Sequence, residues 1–271
     1  MTRISGHSRI LAIIGDPIEH SLSPAMHNAA MTSLGIDGVY VPIRTDASAL
    51  PHVLRAFEAV SIAGNVTIPH KVAVSDLLIR VTSRAKELGA VNTFWPEGGR
   101  LVGDNTDVQG ILDAVQPLEP RGPWLVLGTG GAARGAAVAA RESGAELLVR
   151  SRDERRARDF AEWASKLEVE ARADDGSPVG MAVNATPLGL RADDPDPVEV
   201  ERLNGCEVAL DLVYARGETG WVRRARERGL RATDGRGVLV AQGAHAFERF
   251  FPDHKAAVEV MRAKVEEMLR P

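Results

Sequence analysis

Polar side chains that could bind a small hydroxylated acid occur at four points in the first part of the chain. The clusters are HSLSPAMHN (20–28), GNVTIPHK (64–71), GAVNT (89–93) and GDNTD (103–107). Each lies at a predicted strand end or helix start, where hydroxyls and backbone N–H groups can bind a carboxylate. One such cluster alone is more typical of an ordinary cap or turn than of a binding site. Four together, rich in hydroxyls and amides but holding one lysine, predict recognition of a polyhydroxylated small acid.

A glycine-rich turn in the middle of the chain indicates a second ligand. GTGGAA (128–133) follows the apolar run WLVL and opens an alanine-rich stretch. Gly128 permits a tight turn, Gly130 lets the backbone approach a pyrophosphate, and the small Ala133 allows close helix packing. A helix N-terminus also favours an anion. The strand–turn–helix setting predicts a dinucleotide site.

The end of the next predicted strand bears on which dinucleotide binds. Arg152 can pair with a 2′-phosphate, and Arg156, one turn later, can pair or stack nearby. This favours NADP(H). Asp153 argues the other way, because a carboxylate repels a phosphate and could instead hold a free 2′-hydroxyl. Arginines on a solvated helix start remain the alternative for both positions.

The elements that must position these residues alternate between β-like and helical runs, which predicts an α/β fold with mostly parallel sheets. Strands are predicted over 10–15, 38–44 and 63–68, and helices over 23–35 and 49–60.

Local signals support these boundaries. Ser23 is predicted to be an N-cap, Pro24 a first helical residue and Gly35 a helix stop. A hairpin is expected over 90–107, turning at Gly98 and Gly99.

The connection PLEPRGP (117–123) precedes a second set of strands and helices, and the chain becomes helical again from Val238. The fold class is α/β with two domains, an N-terminal substrate domain and a Rossmann-like doubly wound domain. The expected bounds are 1–106 for the substrate and catalytic domain, 107–237 for the dinucleotide domain and 238–271 for the last helices.

Composition excludes several classes of protein. A formal net charge of -4 gives no general affinity for nucleic acid or anionic membranes. The single cysteine, Cys206, excludes an internal disulfide framework and a Cys-rich zinc site, and favours a cytoplasmic location. The apolar run ILAII near the N-terminus is too short for a signal segment or a membrane span. The histidines match no common metal signature, so no metal is expected.

Taken in order, the motifs resemble the shikimate dehydrogenase family. The resemblance rests on IGDPIEHSLSPAMHNAA, GNVTIPHK, GAVNT, GDNTDVQG and GTGGAARG, and it continues through NATPLG, DLVY and DGRGVLVAQGAHAF. It spans nearly the whole chain. It implies NADPH-dependent reduction of 3-dehydroshikimate to shikimate in aromatic amino-acid biosynthesis, and C-terminal helices that return to the first domain.

The resemblance also implies the site residues. The substrate positions fall on Ser21, Ser23, Asn65, Thr67, Asn92, Tyr214 and Gln242, with Lys71 and Asp107 as the catalytic pair. The cofactor positions fall on Gly128, Thr129, Gly130, Gly131, Ala132, Ser151, Arg152, Arg156, Thr186, Leu212 and Gly235. The family's adenosine-phosphate motif, Asn-Arg-Thr-x-x-Arg, keeps both arginines here, while Ser151 and Asp153 replace its other residues.

The expected chemistry is a hydride transfer assisted by Lys71, whose ammonium stabilises the developing alkoxide and donates a proton to it. His70 is an alternative secondary acid, or a packing or capping residue. A quinate/shikimate or aminoshikimate dehydrogenase and a non-catalytic dinucleotide-binding sensor stay open as rivals. The expected partner is a small-molecule substrate, shikimate or 3-dehydroshikimate, with no nucleic acid and no membrane, in a monomer or homodimer.

Overall fold

The computed structural model describes residues 4–191 and 193–270. Its internal contacts divide the chain into two compact units. The first comprises the residues up to Thr106 together with Gln242–Met268, and the second comprises Asp107–Ala241 together with the chain from Leu269. The predicted domain bounds, 1–106, 107–237 and 238–271, remain predictions.

The first unit is an α/β layer structure. In chain order its elements are β1 Arg9–Gly15, α1 Ser23–Ser33, β2 Gly38–Arg44, α2 Leu50–Ala59, β3 Ala63–Val66, α3 Lys71–Leu77, β4 Arg80–Val81, α4 Ser83–Leu88, β5 Thr93–Glu97 and β6 Arg100–Asp104.

The second unit follows the Rossmann pattern of alternating strands and helices. Its elements are α5 Asp107–Val115, β7 Trp124–Leu127, α6 Gly131–Glu142, β8 Leu147–Arg150, α7 Glu154–Ser165, β9 Ala171–Ala173, β10 Met181–Asn184, β11 Val208–Asp211, α8 Gly220–Glu227 and β12 Arg231–Thr233, with short 3₁₀ turns at Gln116–Leu118 and Val200–Arg202. Two further helices close the chain, α9 Arg236–Phe250 and α10 Val258–Met268.

The sheet of the first unit is mixed. Its strand order is β2-β1-β3-β5-β6-β4. The pairs β1–β2 and β1–β3 are parallel, whereas β5 runs antiparallel to both β3 and β6. The β5–β6 hairpin turns at Gly98 and Gly99, both at positive φ, as the sequence predicted. In the middle of this sheet β3 places Asn65 opposite Thr93 of β5.

The sheet of the second unit is entirely parallel, with the order β12-β11-β10-β7-β8-β9. Numbered within the unit this is 6-5-4-1-2-3, the doubly wound order whose switch point lies between its first and fourth strands. The switch point therefore lies between β7 and β10. The turn after β7 carries Gly128, and the turn after β10 carries Ala185 and Thr186.

Each unit has its own apolar core. In the first, Ile14, Val66 and Phe94 from the sheet pack with Leu54 and Phe57 of α2. In the second, buried strand residues pack with Trp221 and Val222 of α8. Helix α10 packs against α1 within the first unit. The predicted fold class, two α/β units with a doubly wound sheet and a C-terminal return, is confirmed.

Two local predictions need correction. Ser23 is not the N-cap of α1: Leu22 occupies that position, and Ser23 is already helical. The third strand ends at Val66 rather than at residue 68. Pro69, which lacks a backbone N–H, follows closely after this end. Among the described residues no helix is both long and apolar enough to cross a membrane.

Candidate active site

The polar clusters GNVTIPHK, GAVNT and GDNTD converge because the carboxyl end of β3 lies beside the start of β5. Asn65 Nδ2 donates to the carbonyl oxygen of Asn92 at 3.1 Å and to Thr93 Oγ1 at 2.9 Å. Asn92 Nδ2 in turn donates to Thr106 Oγ1 at 3.0 Å and approaches Gln242 Oε1 at 3.4 Å. Three predicted substrate positions, Asn65, Asn92 and Gln242, therefore share one hydrogen-bond network.

Asn65 is deeper in the fold than the sequence suggested. Its side chain is 4% exposed, and its Oδ1 accepts from the hydroxyl of Tyr40 at 2.7 Å. Both donor hydrogens and the acceptor oxygen of the Asn65 amide are therefore hydrogen-bonded inside the protein. A side chain bonded in this way holds its neighbours in place. Thr67, two residues on, is less buried, and its backbone N–H donates to Ile14 on β1.

Sequence reasoning missed Tyr40 and Thr106 as members of this network. Tyr40 lies on β2 and is buried, and Thr106 lies at the end of the GDNTD cluster. The motif already contained Thr106, but no local pattern pointed to Tyr40. Its partner Asn65 is 25 residues away along the chain.

The two serines of the first cluster lie where α1 begins. Ser21 Oγ accepts from the backbone N–H of Ser23 at 3.3 Å, and Ser23 is buried. The N-cap residue, Leu22, makes no side-chain capping hydrogen bond, and the first turn of α1 contains no acid. A helix start of this kind, flanked by two hydroxyls, suits a carboxylate.

Lys71 is the first residue of α3 and is half-buried. Its carbonyl oxygen accepts from Val91 N at 2.8 Å, which ties the start of α3 to the GAVNT segment. His70 precedes it as the N-cap residue, and its Nε2 lies 2.6 Å from the carbonyl oxygen of Thr45. A carbonyl oxygen only accepts, so His70 Nε2 is the donor. His70 therefore anchors the loop, which favours the packing interpretation over the secondary acid.

Asp107 and Tyr214 belong to the second unit. Asp107 opens α5, and a Cβ placed on Gly135 of α6 would lie 3.4 Å from the Cβ of Asp107. The start of α5 therefore lies beside α6. Tyr214 is half-buried and follows β11.

The glycine turn after β7 has the geometry of an anion site. Gly128 has a φ of +108°, and a Cβ there would lie 3.0 Å from the carbonyl oxygen of Ala185, so this turn needs glycine. Gly130 differs, because a Cβ there would meet no protein atom within 4 Å. Packing within the protein does not require glycine at position 130, whereas a pyrophosphate approaching the backbone does. No side-chain hydrogen bond caps α6 among the described residues.

Two arginines stand where an adenosine 2′-phosphate is expected. Arg152 and Arg156 are exposed at the end of β8 and the start of α7. Asp153 is the N-cap of α7, and its carboxylate accepts from the backbone N–H groups of Arg155 and Arg156 at 2.9 and 3.4 Å. Its capping role accounts for an acid at this position. The residues of this unit therefore fit a dinucleotide phosphate.

A buried carboxylate supports the turns after β10 and β11. Asp211 accepts from Asn184 Nδ2 at 2.8 Å, from Val213 N at 3.0 Å and from Thr219 Oγ1 at 2.7 Å. Burial raises the pKa of Asp211 to about 6, although these three hydrogen bonds act in the opposite direction.

The hydrogen bonds of Asn184 extend this support to the next turn. Asn184 Oδ1 accepts from both the backbone N–H and the hydroxyl of Thr186, so that predicted cofactor residue is tied to the same group. Gly235 lies against the carbonyl of Leu212, with which a Cβ would collide. Two predicted cofactor positions are therefore tied to Asn184: Thr186 through the Asn184 side chain, and Leu212, whose backbone N–H donates to the Asn184 carbonyl oxygen at 3.0 Å. Gly235 packs against Leu212.

Two family models match the chain. One, described as the shikimate dehydrogenase substrate binding domain, matches residues 13–94, and the other, the shikimate 5′-dehydrogenase C-terminal domain, matches residues 235–266. A shikimate dehydrogenase (NADP(+)) from Microcystis aeruginosa is 38% identical over 97% of this chain and 98% of its own length. The chain belongs to the shikimate dehydrogenase family.

Solved structures agree with this membership. A shikimate dehydrogenase crystallised with NADP+ superposes with a TM-score of 0.90 at 30% identity, over 100% of this chain and 99% of the other. The Thermus thermophilus enzyme in complex with NADP(H) and shikimate gives 0.88 at 36% identity, over 96% and 100%. A 5-ketofructose reductase of Gluconobacter gives 0.85 at 28% identity, over 97% and 100%. The predicted family is confirmed, and the last match shows that this fold also serves a different ketone substrate.

In the part of the chain that the structure describes, no three His, Cys, Asp or Glu side chains are grouped to hold a metal ion. The roles assigned to individual site residues stay predictions.

Proposed function

We propose that this protein catalyses the reversible reduction of 3-dehydroshikimate to shikimate with NADPH. The observation that carries the proposal is the buried network of the first unit. It joins Asn65, Asn92 and Gln242, although Asn65 lies 27 residues from Asn92 and Gln242 lies 150 residues from it. Hydroxyl and amide groups of this kind can donate to and accept from the hydroxyls of a ring substrate.

The substrate carboxylate is assigned to the start of α1. Ser21 and Ser23 provide hydroxyls there, and the positive end of the helix dipole favours an anion. Thr67, Asn92, Tyr214 and Gln242 are assigned to the ring oxygens. Asn65 is assigned to the same set, and its burial favours an action through its neighbours.

Proton transfer is assigned to Lys71. NADPH, when bound, supplies the hydride. As negative charge develops on the carbonyl oxygen, the Lys71 ammonium stabilises it and donates a proton, which leaves a neutral alcohol. Asp107 is assigned to orient that ammonium. In the reverse direction the same amine accepts the hydroxyl proton.

The cofactor is assigned to the second unit. Gly128, Thr129, Gly130, Gly131 and Ala132 would hold the pyrophosphate at the start of α6, and Ser151, Arg152 and Arg156 would hold the adenosine phosphate. Leu212 and Gly235 are assigned to the nicotinamide side, and Thr186 is assigned to the cofactor. Two adjacent guanidinium groups pair well with a doubly charged phosphate, which favours NADP over NAD.

A second candidate is the reduction of an uncharged keto sugar, suggested by the similarity to the 5-ketofructose reductase. 3-Dehydroshikimate carries a carboxylate, whereas 5-ketofructose carries none. The start of α1, with two serines and no acid in its first turn, is a feature that an uncharged sugar does not need, so the acid substrate is favoured. Quinate, which lacks the ring double bond of shikimate and has one more hydroxyl, and aminoshikimate, which has an amine in place of a hydroxyl, remain further rivals.

The deciding experiment is a spectrophotometric assay of NADPH formation from shikimate, with quinate as the parallel substrate and NADP or NAD as the acceptor. The reverse assay uses 3-dehydroshikimate and 5-ketofructose. Turnover with shikimate and NADP at the highest kcat/KM supports the proposal. A preference for 5-ketofructose supports the second candidate, and no turnover with any pair supports a non-catalytic dinucleotide sensor.

Three further expectations remain part of the proposal: a monomer or homodimer, a cytoplasmic location, and no nucleic-acid or membrane partner.

A further inference from the structure

The hydroxyl of Tyr40 lies at one end of a chain of buried hydrogen bonds that ends at Asn92. Tyr40 is on β2, is 1% exposed, and contacts Asn65 Oδ1 at 2.7 Å. Asn28 of α1 fixes its backbone, donating to the carbonyl of Tyr40 at 2.8 Å and accepting from its N–H at 2.9 Å. Tyr40 is therefore held in position independently of its side chain.

The direction of the first hydrogen bonds follows from one carbonyl. The backbone oxygen of Asn92 lies 3.1 Å from the Asn65 amide nitrogen, and a carbonyl oxygen only accepts. The Asn65 atom facing it must be Nδ2, so Oδ1 faces Tyr40. Tyr40 is consequently the donor to Asn65.

Thr93 is the next link in this chain of hydrogen bonds. Its Oγ1 accepts from Asn65 Nδ2 at 2.9 Å, and its own hydrogen goes to Asn92 Oδ1, also at 2.9 Å. The backbone N–H of Thr106 donates to the same Asn92 atom at 2.8 Å, which identifies that atom as oxygen. The amide nitrogen of Asn92 is thereby turned toward Gln242.

His27 lies against the other side of this arrangement without competing for its hydrogens. Its ring stacks on that of Tyr40, with centroids 4.5 Å apart and an interplanar angle of 8°. It is buried, and neither of its nitrogens has a hydrogen-bond partner among the described residues. The stacking restricts the tilt of the Tyr40 ring, so the hydroxyl keeps its direction toward Asn65.

We propose that Tyr40 is a positioning residue for the substrate site: acting through Asn65 and Thr93, its hydroxyl sets the direction in which the Asn92 amide presents its N–H groups. The inference rests on the proposed function, in which Asn92 and Gln242 bind the ring oxygens. Without the Tyr40 donor, Asn65 Oδ1 is left buried and unsatisfied, and rotation of the amide would place an oxygen against the carbonyl of Asn92. Loss of the Tyr40 hydroxyl would therefore also disturb the hydrogen bonds of Thr93 and Asn92.

The test is Tyr40→Phe, which removes one oxygen atom and keeps the ring on His27. The KM for shikimate is expected to rise about tenfold, a loss on the scale of one unsatisfied buried group. The KM for NADP should stay within about twofold of the wild-type value. A tenfold change in affinity for NADP would need the loss of an interaction with the cofactor, and the variant removes none that is assigned to it.

Trp221→Phe is the matched control. Trp221 is equally buried, belongs to the second unit, and donates from Nε1 to the carbonyl of Val198 at 3.0 Å. Trp221→Phe therefore removes one buried hydrogen-bond donor on an aromatic ring. The variant is expected to be less thermally stable, with no change in the KM for shikimate. A KM increase of equal size in both variants would mean that general loosening is the cause, and would overturn the inference.

A double-mutant cycle with Thr93 separates positioning from simple destabilisation. Thr93→Val breaks the link between Asn65 and Asn92, and Thr93→Ser retains the hydroxyl and is expected to restore most of the wild-type KM. Because Tyr40 and Thr93 act in one chain, the KM of Tyr40→Phe with Thr93→Val should be close to that of the stronger single variant. Additive increases would contradict the inference. The two Thr93 variants also decide the question if Tyr40→Phe proves insoluble.

Failure of the proposed function gives a different result from failure of this inference. A wild-type protein with no turnover of shikimate refutes the function itself. A wild-type protein that turns over shikimate, with Tyr40→Phe and Thr93→Val both retaining the wild-type KM, refutes the positioning role alone.

Discussion

The imidazole of His70 donates from Nε2 to the carbonyl oxygen of Thr45 across 2.6 Å, and this contact fixes the residue that precedes Lys71. Both His70 and Thr45 are buried. The backbone N–H of His70 donates to Thr67, and its carbonyl accepts from Val74 in α3. The start of α3 is thus held by the side chain and the backbone of one residue.

Replacing His70 tests this anchor. His70→Leu leaves the Thr45 carbonyl without its donor and is expected to lower the free energy of unfolding by about 1–3 kcal/mol. It should also lower kcat, because Lys71 is then less well placed. His70→Gln offers a side-chain N–H in its place and should recover most of both losses. Denaturant unfolding and steady-state kinetics measure the two effects, and a Leu variant with wild-type stability would exclude the anchor.

Lys71→Ala should lower kcat by at least about 10²-fold, the usual scale for loss of an acid–base group, with a smaller change in the KM for shikimate. Lys86→Ala is the matched control, because Lys86 is an exposed lysine in the last turn of α4. Steady-state kinetics of both variants decide the assignment. Turnover by Lys71→Ala at the rate of the control would remove Lys71 from the mechanism.

Gly130→Ser should separate cofactor binding from folding. Gly130 is the N-cap of α6, with a φ of -87°, and no protein atom lies where a side chain at this position would begin. Serine is a good N-cap residue. Thermal stability should therefore be unchanged or slightly raised, while the new hydroxyl occupies the anion position and weakens NADP binding by about tenfold or more.

Gly128→Ala is the contrasting variant to Gly130→Ser. It forces a Cβ into a positive-φ position beside Ala185, so it should lose stability as well as binding. Thermal melts and calorimetric titration with NADP distinguish the two outcomes. Equal losses of stability in the serine and alanine variants would contradict the assignment of Gly130 to a ligand.

Asp153→Thr should increase the preference for NADP over NAD. Threonine can still cap α7. The substitution removes the negative charge of Asp153, whose Oδ2 lies 3.9 Å from Arg156 Nε. The side chains are exposed, so the ratio of kcat/KM values should rise by no more than about fivefold. Asp159→Asn on the same helix is the control. An unchanged ratio would show that the carboxylate serves only as a cap.

Asp211 should make stability depend on pH in a direction opposite to that of most surface carboxylates. Burial raises its pKa from 3.8 to about 6, so between these values the folded state binds more protons than the unfolded state. This group therefore lowers the free energy of unfolding as pH rises through that window, and below it the effect disappears.

Asp211→Asn removes this titration while keeping hydrogen-bonding atoms. The stability of the variant relative to wild type should increase by up to about 3 kcal/mol from roughly pH 4 to pH 7, since each pKa unit corresponds to about 1.4 kcal/mol. Denaturant unfolding across this range measures the difference. A difference that does not vary with pH would show that the three hydrogen bonds to Asp211 outweigh its burial.

The sequence by itself determined the local elements and the family. Strand β2, the start of α1, the hairpin through Gly98 and Gly99, and the glycine turn before α6 follow from side-chain periodicity and turn chemistry. These signals act over a few residues, so they can be read along the chain. The order of the polar motifs was specific enough to predict the shikimate dehydrogenase family.

Only the tertiary structure decided which groups meet. The pairing of β3 with β5, the contact between Tyr40 and Asn65, and the hydrogen bond from Asn184 to Asp211 join residues that are far apart along the chain. No periodicity encodes such a contact, because it depends on sheet order and on the depth of each side chain. Asn65 shows the difference most clearly: its motif predicted a substrate ligand, which stays a prediction, and only the structure shows that its buried side chain is hydrogen-bonded to Tyr40, Asn92 and Thr93.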